Sequence, residues 1–261
     1  MQGALGAAEM RRLITGFSVT MAVSAVAELG IADHLSHGPK TASDLARLSG
    51  THEGYLTRVL RYLASEGVFE EQPGDLFALT ERSYWLRSDV PGSMRPRAIY
   101  MGSAMSWMAW GNLLQCLRTG TSAFHVAFGE DIFDYLKRQP DAAATFNTFM
   151  AGQTAASVDA VLATYDFAGV RELVDVGGGR GALLAGILRA NPDMHGVLLD
   201  MPEVIATAQP LLDQAGVSDR CRLLGGDFFE AVPAGADLYV LKFILHDWPD
   251  DRCIRLLRNC R

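Results

Sequence analysis

Leu173-Val174-Asp175-Val176-Gly177-Gly178-Gly179-Arg180-Gly181-Ala182-Leu183-Leu184-Ala185-Gly186-Ile187-Leu188 is the stretch that decides the fold of this chain. Residues 173–176 are a short, mostly apolar run ending at glycines, which suits a buried parallel strand, and 182–188 continue in helix-forming residues. Gly177, Gly179 and Gly181 therefore fall at a strand-to-helix turn. Glycine tolerates positive φ cheaply and carries no side chain to hold a ligand off, so the cluster lets a polar ligand approach the backbone closely. A second apolar run, 196–199, closes on Asp200, 19 residues after Gly181. In open α/β sheets ligands bind outside the carboxyl ends of the strands, where such an acid can accept hydrogen bonds from both ribose hydroxyls. The stretch reads as a nucleotide-cradling βαβ unit of a Rossmann-like α/β domain.

Two cofactor classes fit that geometry. Gly177-x-Gly179-x-x-Ala182 satisfies the looser dinucleotide fingerprint and taken alone indicates NAD or FAD. Asp175-Val176-Gly177-Gly178-Gly179-Arg180-Gly181 looks more like the first motif of S-adenosylmethionine-dependent methyltransferases. Downstream stand Leu199-Asp200-Met201-Pro202, Gly226-Asp227-Phe228-Phe229 and Leu245-His246-Asp247-Trp248, in that order. Together with Leu29-Gly30-Ile31-Ala32-Asp33 and Leu56-Thr57-Arg58-Val59-Leu60-Arg61 upstream, they resemble the plant caffeic-acid-type and bacterial polyketide-tailoring O-methyltransferases over nearly the whole chain.

The resemblance implies a class I methyltransferase domain, preceded by an α-helical winged-helix dimerisation domain, with S-adenosylmethionine as cofactor. It implies that Gly177 and Gly179 line the cofactor loop, that Asp200 holds the ribose hydroxyls, and that Asp227 accepts from the adenine amino group. Phe228 would pack on the adenine face and Lys242 would stand near the methionine end. His246 would be the general base. A phenol with a pKa of about 10 is mostly neutral at pH 7, whereas an imidazole with an unperturbed pKa of about 6.5 is largely free to take its proton. Such help is worth roughly 10²–10⁴-fold in rate. The structural alternative for His246 is a residue capping the junction of strand and helix. Asp247 is a secondary candidate at the acceptor hydroxyl, although capping a helix that starts at Pro249 would account for it, with Asp250 and Asp251 complementing the helix dipole.

The first part of the chain reads as a winged helix: a short helix from Thr41, a second over 52–66, and strands over 68–71 and 76–79 joined through Pro73-Gly74-Asp75. In a transcription regulator the second helix would enter the major groove from a basic face. Here residues 40–89 hold six basic against eight acidic side chains, so few counterions would be released on a nucleic acid. In the resembled family this domain builds a homodimer, and the preceding Ala/Val-rich helix, 21–31, would bury its stripe across that dimer. Arg11-Arg12 followed by 13–27 imitates an export signal, but Glu9, Thr15, Gly16, Ser18, Thr20 and Ser24 interrupt it, and it reads as an amphipathic helix.

Between these domains the chain is helical and rich in methionine and aromatics, with Met101, Met105 and Met108 on one helix face. Core packing explains most of them. By the resemblance, Met150 in Phe146-Asn147-Thr148-Phe149-Met150 lines the acceptor pocket, where a polarizable wall suits a flat aromatic substrate. The expected division is therefore 1–95 winged-helix dimerisation domain, 96–165 helical linker contributing to the pocket, and 166–261 cofactor domain.

The remaining composition agrees with a soluble enzyme, and the resemblance implies a cytoplasmic one of secondary metabolite biosynthesis. The 261 residues are 49% hydrophobic and 20% charged, and the net charge of −7 argues against nucleic acid or an anionic membrane as the main partner. No run reaches the length that spans a bilayer. Cys116, Cys221, Cys253 and Cys260 show no paired spacing, and His34 and His37 have no second ligand pair, so no metal is expected. Only four strands are expected in the cofactor domain (173–176, 196–200, 221–224 and 237–245) where the family's sheet has seven. The domain is thus expected to be incomplete at its carboxyl end, with the last strand left as a naked parallel edge. The reading is an O-methyltransferase acting without metal on a hydroxyl of a small aromatic or polyketide-type metabolite. The alternatives are a relative that binds S-adenosylmethionine without methylating and, from another class, a winged-helix DNA-binding regulator.

Overall fold

The computed structural model describes residues 2–261, leaving aside the side chains of 2–5, 155 and 156. It divides into two compact units, Met1–Phe149 and Met150–Arg261.

The first unit opens with α1 (Gln2–Glu28) and α2 (Ile31–His34), then β1 (Lys40–Thr41), α3 (Ala42–Ser49), α4 (Glu53–Ser65), β2 (Phe69–Gln72) and β3 (Leu76–Leu79). Local chemistry sets these boundaries. The Thr41 hydroxyl accepts the Asp44 N–H and starts α3, left-handed Gly50 ends it, and His52 Nδ1 accepts the Gly54 N–H to start α4. β3 pairs antiparallel with both β1 and β2. The wing turns on Gly74 and Asp75, both at positive φ, and Arg61 clamps it by donating to Glu71 and Asp75 at 2.7 Å each. Ile31, Leu45, Leu60, Leu63, Phe69 and Phe77 form the core. The winged helix is as expected.

The helix expected over 21–31 instead ends at Glu28, because Gly30 takes a left-handed conformation and Ile31 begins α2. Val26 and Ala27 are buried in the core of their own unit, and the large exposed apolar residues of α1 are Met10, Leu13, Ile14 and Phe17. α5 (Glu81–Tyr84), α6 (Arg95–Gly102), α7 (Ala104–Gly111), α8 (Leu113–Thr119), α9 (Ala123–Phe128) and α10 (Ile132–Arg138) follow. α6 lies against α1, and a Cβ on Gly102 would fall 2.0 Å from the Ser24 hydroxyl, so only glycine permits that approach.

The helix α11 (Pro140–Thr164) leads into the second unit: β4 (Glu172–Val176), α12 (Ala182–Ala190), β5 (His195–Asp200), α13 (Pro202–Ile205), α14 (Gln209–Ala215), β6 (Cys221–Gly225), β7 (Leu238–Val240) and α15 (Asp250–Asn259). The four strands are parallel in the order β6-β5-β4-β7. One face is covered by α12, α14 and residues Val158, Val161 and Leu162 of α11; the other by Phe229, Val232, Trp248 and Leu256. Gly186 admits Val158, whose Cγ1 would lie 2.3 Å from a Cβ there. Arg220 ties down the end of α12 by donating to the carbonyls of Leu188, Asn191 and Met194.

Three strands fall within a residue or so of expectation, but the fourth does not. The strand expected over 237–245 stops at Val240, and residues 241–247 turn away. Phe243 sits at φ 58°, which no strand residue adopts. Asp237, expected inside the strand, instead accepts the N–H groups of Arg171 and Glu172. No described helix is long and apolar enough to cross a membrane.

Candidate active site

The glycine loop continues the sheet beyond its strands. Gly177 N–H donates to the Leu199 carbonyl at 2.7 Å, and Gly177, Gly179 and Gly181 all have positive φ. A Cβ on Gly177 would strike Ile244 Cδ1 at 2.4 Å, and one on Gly178 would strike the Asp175 carboxyl and Leu198 Cδ1 at 2.5 Å. Gly179 has nothing within 4 Å of that position and opens onto free space. The loop is thus packed from below by Asp175 and Leu198, flanked by Ile244 and Phe228, and bare where a ligand would approach.

Asp200, at the end of β5, accepts the N–H of Gly179 through one oxygen and of Met201 through the other, at 2.7 Å each. Burial raises its pKa and those two N–H groups pull it down. A carboxylate offers about four acceptor positions, so hydroxyl donors still find room. Asp227 is exposed, and its Oδ1 accepts the Phe229 N–H at 2.7 Å. Phe228 is half-buried, its ring edge-on to Phe229 at 4.8 Å and to Trp248 at 6.3 Å between centroids.

Lys242 is half-buried, and its Nζ donates to the Thr154 hydroxyl at 3.2 Å. Burial lowers its pKa, with Asp175 opposing. The Nζ lies 3.7 Å from the centroid of the Phe243 ring. His246 is on a 3₁₀ turn, Leu245–Asp247, with its side chain 62% exposed, its ring stacked on Phe243 (5.6 Å, 12° between planes) and its Nε2 3.4 Å from Asp247 Oδ1. Burial raises the Asp247 pKa and His246 lowers it. Asp247 does not cap α15: the cap residue is Pro249, and Trp248 is extended, the conformation that a following proline imposes. Met150 is half-buried in α11, one turn before Thr154 and so on the face that meets Lys242.

The structure thus joins the expected residues in two clusters, Gly179 with Asp200 and Lys242 with His246 and Asp247, which Ile244 links to the loop at Gly177. Sequence reasoning missed the supports. Phe229 is buried and meets Trp248 edge-on at 4.7 Å, with the Arg252 guanidinium over both rings. The Asn259 amide donates to the carbonyls of Phe228 and Phe229 at 3.0 Å each. Nothing in the residue pattern pairs Asn259 with a loop some 30 residues away. Asp175 was visible as the acid preceding the glycines, but not its burial: it is 2% exposed, and its Oδ2 has no hydrogen-bond partner. Burial, then the charge of Asp200, pushes its pKa up to about 7, against Lys242 and the Leu184 N–H. Among the described residues no three His, Cys, Asp or Glu side chains gather as a metal ion requires.

A doubly flanked glycine loop, an acid at the next strand end and an aromatic beside the loop define a nucleoside-binding α/β enzyme. Residues 110–261 match the O-methyltransferase domain, and 11–89 match the O-methyltransferase dimerisation domain. The phenazine O-methyltransferase PhzM of Lysobacter antibioticus is 44% identical over 250 residues, 96% of this chain and 73% of that protein. The crystal structure of LaPhzM superposes with a TM-score of 0.94 at 43% identity, over 97% of this chain and 76% of that one. The neocarzinostatin-biosynthesis O-methyltransferase NcsB1, solved with S-adenosylmethionine and 2-hydroxy-5-methyl naphthoic acid, is 35% identical with a TM-score of 0.81, over 93% of this chain and 75% of that one. The chain belongs to the S-adenosylmethionine-dependent O-methyltransferase family and spans about three quarters of the length of these relatives. Its residues fit that cofactor: the loop is bare at Gly179, and Asp200 keeps acceptor capacity.

Proposed function

We propose that this enzyme methylates a hydroxyl group of a small aromatic or polyketide-type metabolite, as a homodimer in the cytoplasm, with His246 as the base. The observation that carries the reading is the link between base and loop: Ile244, packed against Gly177, is two residues from His246, so the exposed imidazole is carried on the turn that borders the cofactor loop. Asp200 would bind the ribose hydroxyls, Asp227 the adenine amino group and Phe228 the adenine face, while Gly177 and Gly179 give the backbone its approach. Lys242 would stand at the methionine end. Met150 and Asp247 would touch the acceptor.

Bound S-adenosylmethionine supplies a methyl group on a positively charged sulfur, an electrophile that needs no metal to activate it. The chain's part is to hold the acceptor oxygen in line and remove its proton. His246 takes that proton as the oxygen gains the methyl group, and the Asp247 carboxylate beside Nε2 stabilises the imidazolium that results. Holding two reactants in one geometry contributes up to about 7–11 kcal/mol, more than the base itself.

Calorimetric titration with S-adenosylhomocysteine of the wild type and of Asp200→Ala tests the cofactor assignments; binding is expected to be lost in the variant. Turnover of 2-hydroxy-5-methyl naphthoic acid and other phenolic acids by wild type and His246→Gln tests the base. A variant that turns over as fast as wild type would remove His246 from the chemistry.

A further inference from the structure

Among the described residues only Asp75 and Phe243 are non-glycines at positive φ. Asp75 has an ordinary reason, since acidic and amide side chains favour tight turns and this one is held by Arg61. Phe243 has none of that kind. A bulky aromatic in the left-handed region is an outlier, and glycine or asparagine would take the same backbone at lower cost. Its ring is not in the core: it is 40% exposed. What the ring touches is Lys242 and His246. The ammonium lies 3.7 Å from its centroid, within cation–π range, and the imidazole plane is within 12° of its own. Lys242 is itself held by Thr154. A line of contacts therefore runs from α11 through Thr154, Lys242 and the Phe243 ring to His246. Asp247 restrains the imidazole at one edge, and the ring restrains its face.

We propose that Phe243 is a positioning residue, whose ring, anchored by the Lys242 ammonium, fixes the plane of the His246 imidazole. Its value to the reaction rests on the role proposed above for His246, but the geometry can be tested apart from it. A side chain over the face of an aromatic ring has its proton resonances moved upfield. The chain has six histidines, and His246→Gln assigns the relevant signals in a histidine-labelled sample.

The His246 ring protons are expected upfield of those of a free histidine in the wild type and in Phe243→Tyr, and at ordinary positions in Phe243→Leu and Phe243→Asn. S-adenosylhomocysteine affinity should be retained in all of them. Phe243→Asn suits the left-handed backbone, so it keeps the comparison available should the leucine variant not fold. With 2-hydroxy-5-methyl naphthoic acid as acceptor, kcat should fall by up to about 10²-fold in the leucine and asparagine variants and recover in Phe243→Tyr, with KM for S-adenosylmethionine unchanged. Unshifted wild-type signals, or a shift that survives in Phe243→Leu, would overturn the proposal and leave the assignment of His246 as base standing. Undiminished turnover by His246→Gln would instead remove that assignment and leave the ring geometry to be judged by the resonances alone.

Discussion

Replacing Asp175 by Asn is expected to stabilise the second unit at pH 8 and to leave it unchanged near pH 4. The carboxyl is 2% exposed, and burial first, then the charge of Asp200, pushes its pKa from 3.8 to about 7. Because the folded value lies above the unfolded one, the folded state keeps a proton that the unfolded chain has released. Stability therefore falls as pH rises from about 4 to about 7, and the cost is complete above that. At about 1.36 kcal/mol per pKa unit, the difference amounts to about 4 kcal/mol at most, and relaxation around the charge brings the expected gain to about 2–4 kcal/mol. Asparagine has the same shape, so the contact beneath Gly178 and the Leu184 N–H bond persist. Its amide nitrogen takes the place of Oδ2, no worse paired than the hydroxyl of the protonated acid. Hydrogen exchange of peptides covering β4 and β5, read from pH 5 to 8 with correction for intrinsic rates, measures the difference. A gap that does not widen with pH, or a variant less stable at pH 8, would refute the electrostatic account.

Gly177→Ala should weaken S-adenosylhomocysteine binding in calorimetry, because its methyl group would push the end of the Ile244 side chain aside on a left-handed backbone. Gly179→Ala meets nothing and should fold with a loss of only about 1–2 kcal/mol in denaturant titration, the cost of its left-handed backbone. Asp200→Asn can keep only one of two 2.7 Å bonds from backbone N–H groups, so a loss of about 1.5–3 kcal/mol in stability is expected alongside weaker cofactor binding, both readable from thermal melts with and without S-adenosylhomocysteine. Arg61→Ala removes two exposed, solvent-screened ion pairs from the wing and should leave the denaturation midpoint nearly unchanged.

The cofactor half was legible because buried parallel strands leave a plain mark: unbroken apolar runs stopped by glycine or acid, as at 173–176 and 196–200. The same rule overreached at 237–245, since Leu241, Ile244 and Leu245 are as apolar as a strand and yet pack as a turn. Periodicity does not separate the two, and the left-handed backbone at Phe243 leaves no sign in the residue pattern. The end of α1 is hidden for a related reason: the apolar pattern runs on to Ile31, while left-handed Gly30 stops the helix. The candidate site residues could be named from short motifs, whereas Asn259, Trp248 and Thr154 make their contacts across long sequence separations and emerge only with the fold.

The two hydrogen bonds from Asn259 tie α15 to the loop at Phe228. If Phe228 lies on the adenine ring, helix and ligand are linked: each must hold the other. A ligand at 100 times its dissociation constant adds about 2.7 kcal/mol to whatever unfolds with its site. The far end of α15 would inherit that protection without touching the ligand, so α15 would loosen when the cofactor leaves.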